Sequence, residues 1–114
     1  MPYIDIKTNK AVSPAAEKAL FEKLGKAIEI FPGKTEKWLM LNVSAEQKMC
    51  FAGDSESPCL FADVRIFGEP NEAAAEEMTK ALCEIFEQVL SIPADRSYVC
   101  YKGYDTWGWT NMNF

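Results

Sequence analysis

The chain has 114 residues, which is room for one domain, because single domains usually contain about 100 to 150 residues. Apolar residues make up 48% and charged residues 25%, so a packed core can form and disorder is excluded as the main state. The net charge is -5 and the 12 basic residues are scattered, so we expect no nucleic-acid partner. No apolar run approaches the roughly 20 residues that cross a bilayer, so we expect no membrane partner.

The chain contains no histidine. This excludes Ser-His and Cys-His nucleophilic catalysis, histidine-ligated metals and the commonest general base. A catalytic base would therefore be a carboxylate, a lysine, a tyrosine, a thiolate or the N-terminal amine. The four cysteines at 50, 59, 83 and 100 lack the two-residue spacing of zinc or redox motifs, so we expect no metal site and small, buried, reduced thiols.

The first half of the chain has the pattern of a strand, a helix and a second strand. Residues 3–7 alternate polar and apolar side chains, which is typical of a strand with one buried face. Ser13 then provides a helix N-cap and Pro14 a first-turn proline, and apolar residues recur at helical spacing up to the Pro-Gly pair at 32–33. Residues 38–43 are apolar enough for the second strand.

The second half repeats this order, with a strand over 59–67, a turn at 68–70, a helix carrying apolar residues from Met78 to Val89, and a strand starting near Ser97. The two halves are similar at an offset of about 59 residues, which indicates an internal repeat. Strands joined through a helix run parallel. Residues 1–114 are therefore predicted to form one α+β domain, in which two pseudo-repeated β-α-β units make a four-stranded mixed sheet with two helices on one face.

The other face of this sheet needs cover. Along the strand 59–67 one side is apolar, whereas the opposite side alternates aromatic and charged residues. Self-association would cover this half-polar side. The aromatic tail 107–114 is too apolar to extend into water, so we expect it to dock, with a neighbouring subunit as one available surface.

Pro2 is the first residue to consider as the base. A penultimate proline normally permits removal of Met1, which leaves a free secondary amine at the start of a strand. An α-amino group titrates near pH 7.7 to 8.0 (about two units below lysine), and burial lowers its pKa further. Since proline occupies about 5% of positions in average proteins, a Met-Pro start can also occur by chance.

Several short motifs occur in order along the chain: Met1-Pro2, Thr8-Asn9, Gly33-Lys34, Ser55-Glu56 close to Pro58-Cys59, Asp95-Arg96 with Tyr98, and Gly108-Trp109 followed by Phe114. As a set, with its spacing, this pattern resembles the macrophage migration inhibitory factor and D-dopachrome tautomerase family. The resemblance implies a homotrimer with sites between subunits and no metal or organic cofactor. It also implies an isomerase, a keto-enol tautomerase of phenylpyruvate-like or dopachrome-like aromatic acids, in which Pro2 is the general base after removal of Met1.

The resemblance assigns substrate-binding roles to five residues: Lys34, Phe67, Tyr98, Trp109 and Phe114. The lysine would hold the substrate carboxylate, and residue 67 would offer its backbone N–H, with a ring that narrows the pocket where the family has a smaller aliphatic side chain. The other three would form an aromatic wall, with Tyr98 coming from an adjacent subunit. The ordinary alternatives are a solvated lysine near a helix end and aromatic side chains in the core.

Two departures from the family pattern concern cysteines. Cys100 replaces an asparagine that often follows the tyrosine by two residues, which removes a side-chain hydrogen bond and leaves substrate preference open. Cys59 matches the first cysteine of a CxxC found in some members, but Ala62 occupies the second place, so the sequence predicts no thiol-disulfide oxidoreductase.

Two other functional classes stay open at this stage. One is a cytokine-like signalling or binding protein with vestigial tautomerase activity and a protein receptor, and the other is a purely structural trimer. Fold alone does not decide between them. We expect a cytoplasmic protein, because no hydrophobic leader is evident, and secretion without a signal peptide stays open.

Overall fold

The computed structural model describes all 114 residues, and the two halves of the chain fold into the same order of elements. The strands are β1 (Pro2–Thr8), β2 (Met40–Ser44), β3 (Leu60–Phe67), β4 (Ser97–Tyr104), β5 (Gly108–Trp109) and β6 (Met112–Asn113). The helices are α1 (Pro14–Ala27) and α2 (Glu72–Leu90). Single turns of 3-10 helix occur at Ile28–Ile30, Glu36–Trp38 and Ala94–Arg96.

The four long strands form one mixed sheet in the order β2-β1-β3-β4. Each half contributes a parallel pair, β1 with β2 and β3 with β4, and the halves meet where β1 runs antiparallel to β3. The predicted α+β fold with two β-α-β units and a four-stranded mixed sheet is therefore confirmed. The short strands β5 and β6 form a separate hairpin at the end of the chain.

Both helices cover one face of the sheet and enclose a single core. The alternation in β1 and β3 directs Ile4, Ile6, Val64 and Ile66 into this core, and all four are at most 3% exposed. Apolar helix residues pack against them: Leu20, Leu24, Ile28, Met78, Leu82, Ile85 and Phe86. Neither helix has the length and apolarity needed to cross a membrane.

Capping residues set where the helices begin. The Ser13 side chain accepts a hydrogen bond from the Ala16 N–H at 3.1 Å, as the sequence predicted, and the Asn71 side chain accepts one from the Ala74 N–H at 2.9 Å. The prediction for the end of the first helix was less accurate. The α-helix stops at Ala27 and continues as one 3-10 turn before the Pro-Gly pair.

The second strand also starts later than the predicted 38–43. Residues 36–38 form a 3-10 turn, in which the Leu39 N–H donates to the Glu36 carbonyl at 3.1 Å, so the extended backbone begins only at Met40. The turn at 94–96 precedes β4 in the same way. This shared detail supports the internal repeat.

The expectation of four buried cysteines was wrong for three of them, although all four are free thiols. Only Cys59 is buried. Cys50 lies in the exposed loop between β2 and β3, Cys83 is partly exposed on α2, and Cys100 projects from the face of β4 that the helices do not cover.

The core can be tested with Leu24→Ala, because this side chain is fully buried between α1 and the sheet. The truncation should lower the free energy of unfolding by about 2 to 5 kcal/mol, from lost apolar burial and the cavity left behind. Urea denaturation measures the change. The neighbouring Lys23→Ala on the exposed side of α1 is the matched control and should change stability by less than about 0.5 kcal/mol.

Candidate active site

Pro2 opens strand β1 at one end of the sheet. It is buried and lies opposite Ile66 in the antiparallel ladder with β3. The ladder extends one step further, because the Phe67 N–H donates to the Met1 carbonyl at 3.1 Å. The sheet therefore fixes the position of the bond between Met1 and Pro2.

Lys34 lies beside this end of β1. Gly33 adopts a left-handed φ of 78°, and the Lys34 N–H donates to the Phe31 carbonyl at 3.0 Å, so a tight turn after α1 directs the lysine back toward the sheet. Its Nζ donates to the Phe67 carbonyl at 3.1 Å. Burial, and after it the charge of Lys34 and a hydrogen bond to it, lower the pKa of the Met1 ammonium. An N-terminal amine at this position is therefore neutral over a wider pH range than one in water.

A cavity of about 610 Å³ adjoins Met1 and Pro2, and we call it the Pro2 cavity. Aromatic side chains dominate its lining: Tyr3, Trp38, Tyr104, Trp107 and Trp109. Lys37 and Arg65 also line it, and no aspartate or glutamate does. An open recess of about 680 Å³ exists away from Pro2, but loop residues that are mainly polar line it. The size and apolarity of the Pro2 cavity suit a small aromatic ligand.

The C-terminal segment forms one wall of the site, so the predicted docking of the aromatic tail occurs on its own chain. The ring of Trp109 meets Trp38 edge-on with centroids 5.0 Å apart, and Phe114 lies 5.8 Å from Phe67. The Phe114 N–H donates to the Trp107 carbonyl at 2.9 Å. Trp109 and Phe114 are still about half exposed, at 51% and 47%.

Tyr98 lies far from Pro2 within one chain. It pairs with Phe61, which pairs in turn with Lys7, five residues along β1 from Pro2. At about 3.3 Å per residue this offsets Tyr98 from Pro2 by roughly 17 Å along the strand direction, in addition to the two inter-strand steps between them. The structure thus brings Lys34, Phe67, Trp109 and Phe114 to the end of the sheet that holds Pro2, whereas Tyr98 would reach such a site only from another subunit.

Cys100 lies on β4 two residues beyond Tyr98, and its Sγ is 3.6 Å from Oδ1 of Asp63. Burial, followed by the carboxylate of Asp63, raises the pKa of the Cys100 thiol. A thiol with a raised pKa is mostly protonated near neutral pH, so it is a poor nucleophile.

Arg96 holds the loop that packs against Tyr98. Its guanidinium donates to four backbone carbonyls at 2.9 to 3.2 Å, those of Phe51, Asp54, Ser57 and Pro58. It also lies 5.3 Å from the centroid of the Phe51 ring, and that ring lies 4.9 Å from the Tyr98 ring. The exposed Tyr98 ring therefore packs against a loop whose position the Arg96 side chain fixes.

Sequence reasoning missed the cavity residues Lys37, Trp38, Arg65 and Tyr104. Arg65 and Phe67 are two residues apart in one strand and therefore lie on the same face, so Arg65 could have been added once the resemblance had assigned Phe67 to the site. Trp38 had no such signal, because the 3-10 turn that directs it toward Trp109 has no recognisable sequence pattern.

The family profile described as "Macrophage migration inhibitory factor" matches residues 1–112. The chain belongs to the macrophage migration inhibitory factor family. The macrophage migration inhibitory factor of Xenopus laevis is 30% identical over 116 residues, covering 100% of this chain and 99% of the relative. The crystal structure of Leishmania major MIF2 superposes with a TM-score of 0.93 at 24% identity, covering 100% of this chain and 97% of the other.

A homologue from Prochlorococcus marinus has a TM-score of 0.82 at 28% identity and covers 98% of both chains. Membership of the macrophage migration inhibitory factor family supports a function of the tautomerase superfamily or one like that of the factor itself. The family's fold is preserved over the whole length, including the end of the sheet with Pro2, Lys34 and Phe67.

The role of Arg96 in holding the loop carbonyls can be tested with Arg96→Ala. Four carbonyls lose a charged donor, so the free energy of unfolding should fall by about 2 to 4 kcal/mol. Urea denaturation followed by circular dichroism measures this. The control is Lys18→Ala, an exposed residue on α1, which should change stability by less than about 0.5 kcal/mol. Equal stability of the two variants would contradict the assigned role.

Proposed function

We propose that the chain is a keto-enol tautomerase of arylpyruvate-like acids, with the secondary amine of Pro2 as general base after Met1 is removed. One observation carries the proposal: the ammonium of Met1, at this end of β1, is partly buried next to Lys34, and both effects lower its pKa. The Pro2 amine would replace it as the chain's N-terminal group, and a lowered pKa leaves a larger fraction of such an amine free to accept a proton from carbon.

Removal of Met1 would make three groups available together. The Pro2 nitrogen changes from an amide into an amine, the Phe67 N–H loses the Met1 carbonyl as its acceptor, and Lys34 loses the neighbouring ammonium. The lysine and the N–H are both suited to the carboxylate of a keto acid. The aromatic lining of the Pro2 cavity would receive the aryl ring.

In the proposed reaction Pro2 takes a proton from the carbon next to the keto group. The electrons of the broken C–H bond form a carbon–carbon double bond, and the carbonyl π electrons move to oxygen and give an enolate. The protonated Pro2 amine then gives its proton to that oxygen, which completes the enol and restores the base, and the reverse steps return the keto acid. A positioned base contributes about 10² to 10⁴ in rate, and Lys34 with the N–H of Phe67 supplies orientation.

A homotrimer is part of the proposal. The face of the sheet without helices exposes Phe61 and Tyr98, at 38% and 59%, which an adjacent subunit would cover. Tyr98 of that neighbour would then complete the aromatic wall beside Pro2. Light scattering measures the mass of the assembly, which should equal that of three chains.

Met1 removal provides the most direct test of Pro2. Protein verified by intact mass to retain Met1 should tautomerise phenylpyruvate at least about 10²-fold more slowly than the processed form, because an amide nitrogen has no basicity. Treating the retained form with methionine aminopeptidase should restore the rate in the same sample. Equal rates before and after treatment would exclude Pro2 as the base.

The electrostatic role of Lys34 predicts a change in pH dependence. The base works when unprotonated, so kcat/KM should fall as the pH drops through the pKa of the Pro2 amine, below the usual value near 8 (about 7.7 to 8.0). Lys34 lowers the pKa of the Met1 ammonium in the unprocessed chain, and the same cation should act on the Pro2 amine. Lys34→Gln removes it, so the acidic limb should move to higher pH. KM should also rise by about tenfold, because the carboxylate loses a charged partner. Lys26→Gln, in the last turn of α1, is the control.

A binding role on the same scaffold is the second candidate, because the curated relatives are named for the factor that inhibits macrophage migration. The protein that retains Met1 and the processed protein distinguish the two functions. Binding to a receptor would not need a free Pro2 amine, whereas tautomerisation would.

A further inference from the structure

The Pro2 cavity is cationic in an acidic protein. The chain carries a net charge of -5, yet the charged residues that line the cavity are Lys37 and Arg65, and no carboxylate lines it. Lys34, which the proposed reaction already uses for the substrate carboxylate, is not part of this lining. The cavity therefore holds two cations for which the conversion of a simple arylpyruvate has no use.

Arg65 is held next to Pro2 by the sheet. It lies opposite Tyr3 in the β1–β3 ladder, one residue from the Pro2–Ile66 pair, and its guanidinium is 5.7 Å from the centroid of the Tyr3 ring. Its Nε and Nη2 both donate to Oδ2 of Asp63, at 3.3 and 3.0 Å. These bonds use one edge of the guanidinium, so Nη1 is left for another acceptor.

Lys37 is held by aromatic rings and has no acidic partner. Its Nζ lies 5.0 Å from the centroid of the Trp38 ring, and Trp38 packs against Trp109, 5.0 Å between centroids. None of the three ion pairs in the chain includes Lys37. A cation placed over an aromatic ring in a cavity wall keeps its charge available to a ligand.

We propose that Arg65 and Lys37 form a second anion subsite, so that the preferred substrate is an aryl keto acid with an additional carboxylate on its aromatic part. This inference rests on the proposed function, in which Lys34 binds the first carboxylate. The ring would lie against the tryptophans of the Pro2 cavity, and the second carboxylate would accept hydrogen bonds from Arg65 and Lys37. An uncharged aryl ring would leave Nη1 of Arg65 and Nζ of Lys37 without an acceptor from the ligand.

Two substrates that differ only in that carboxylate test the subsite, phenylpyruvate and 4-carboxyphenylpyruvate. For processed protein, kcat/KM should be at least about tenfold higher with the dicarboxylate, as expected for hydrogen bonds to charged groups. Arg65→Gln and Lys37→Gln should each lower the ratio of the two kcat/KM values by about tenfold. Arg65→Lys, which keeps the charge, should retain most of the ratio.

A purely structural role for Arg65 gives a different result, because a distorted site would lower both kcat/KM values and leave their ratio unchanged. Lys80→Gln, an exposed change on α2 with the same loss of charge, should leave the ratio at its wild-type value. No preference for the dicarboxylate in the wild-type protein, or an unchanged ratio in both Arg65→Gln and Lys37→Gln, would overturn the proposal.

Binding can be measured even if no turnover occurs, which separates this inference from the proposed reaction. The chain has three tryptophans, and all of them line the Pro2 cavity, so their fluorescence reports ligand binding. 4-Carboxyphenylpyruvate should quench this fluorescence with a lower Kd than phenylpyruvate, and Arg65→Gln should remove the difference. Tighter binding without turnover would reject the tautomerase and keep the subsite, whereas equal Kd values would reject the subsite.

Discussion

The antiparallel pairing of β1 with β3 is the constraint on which the site depends. It joins the two β-α-β halves into one sheet, and its last steps place Pro2 opposite Ile66 and the Met1 carbonyl against the Phe67 N–H. Lys34 then contacts the same end through the Phe67 carbonyl. The first residues of a chain are usually mobile and solvated, but here a β-ladder fixes the Met1 carbonyl and Pro2.

The same pairing explains how one chain can present both apolar and charged groups to a ligand. On the helix side, β1 and β3 contribute mainly core residues, with Pro2 at the end of β1 as the site residue on that side. On the other side, their alternate positions place Tyr3 and Arg65 opposite each other, and the tryptophans of the C-terminal segment line the same cavity. The period of two therefore places most core residues of these strands on one side and the charged cavity residue Arg65 on the other.

Local patterns in the sequence predicted most of the fold. The alternation in 3–7, the Ser13-Pro14 start of α1 and the internal repeat gave the elements, the parallel pairs and the helix-covered face. The start of β2 and the end of α1 were misplaced, because single 3-10 turns have weak sequence signals and their ends depend on tertiary packing.

The site was predictable only in part, for a related reason. Pro2, Lys34 and Phe67 were selected through the family resemblance, and their mutual contacts depend on pairing between segments more than 30 residues apart, 33 in the case of Lys34 and Phe67. Lys37 and Trp38 reach the cavity through a turn. The offset of roughly 17 Å along the strands between Tyr98 and Pro2 follows from strand register, which composition and periodicity do not determine.

The hydrogen bond between the Phe67 N–H and the Met1 carbonyl has a consequence for the proposed removal of Met1. With Met1 present this end of the ladder is complete, and cleavage of the first peptide bond would leave a donor without an acceptor. A chain without Met1 should therefore exchange this amide hydrogen faster, and a bound carboxylate should slow the exchange again. Local order at the mouth of the cavity would thus be supplied first by the chain's own leading residue and later by the ligand that replaces it.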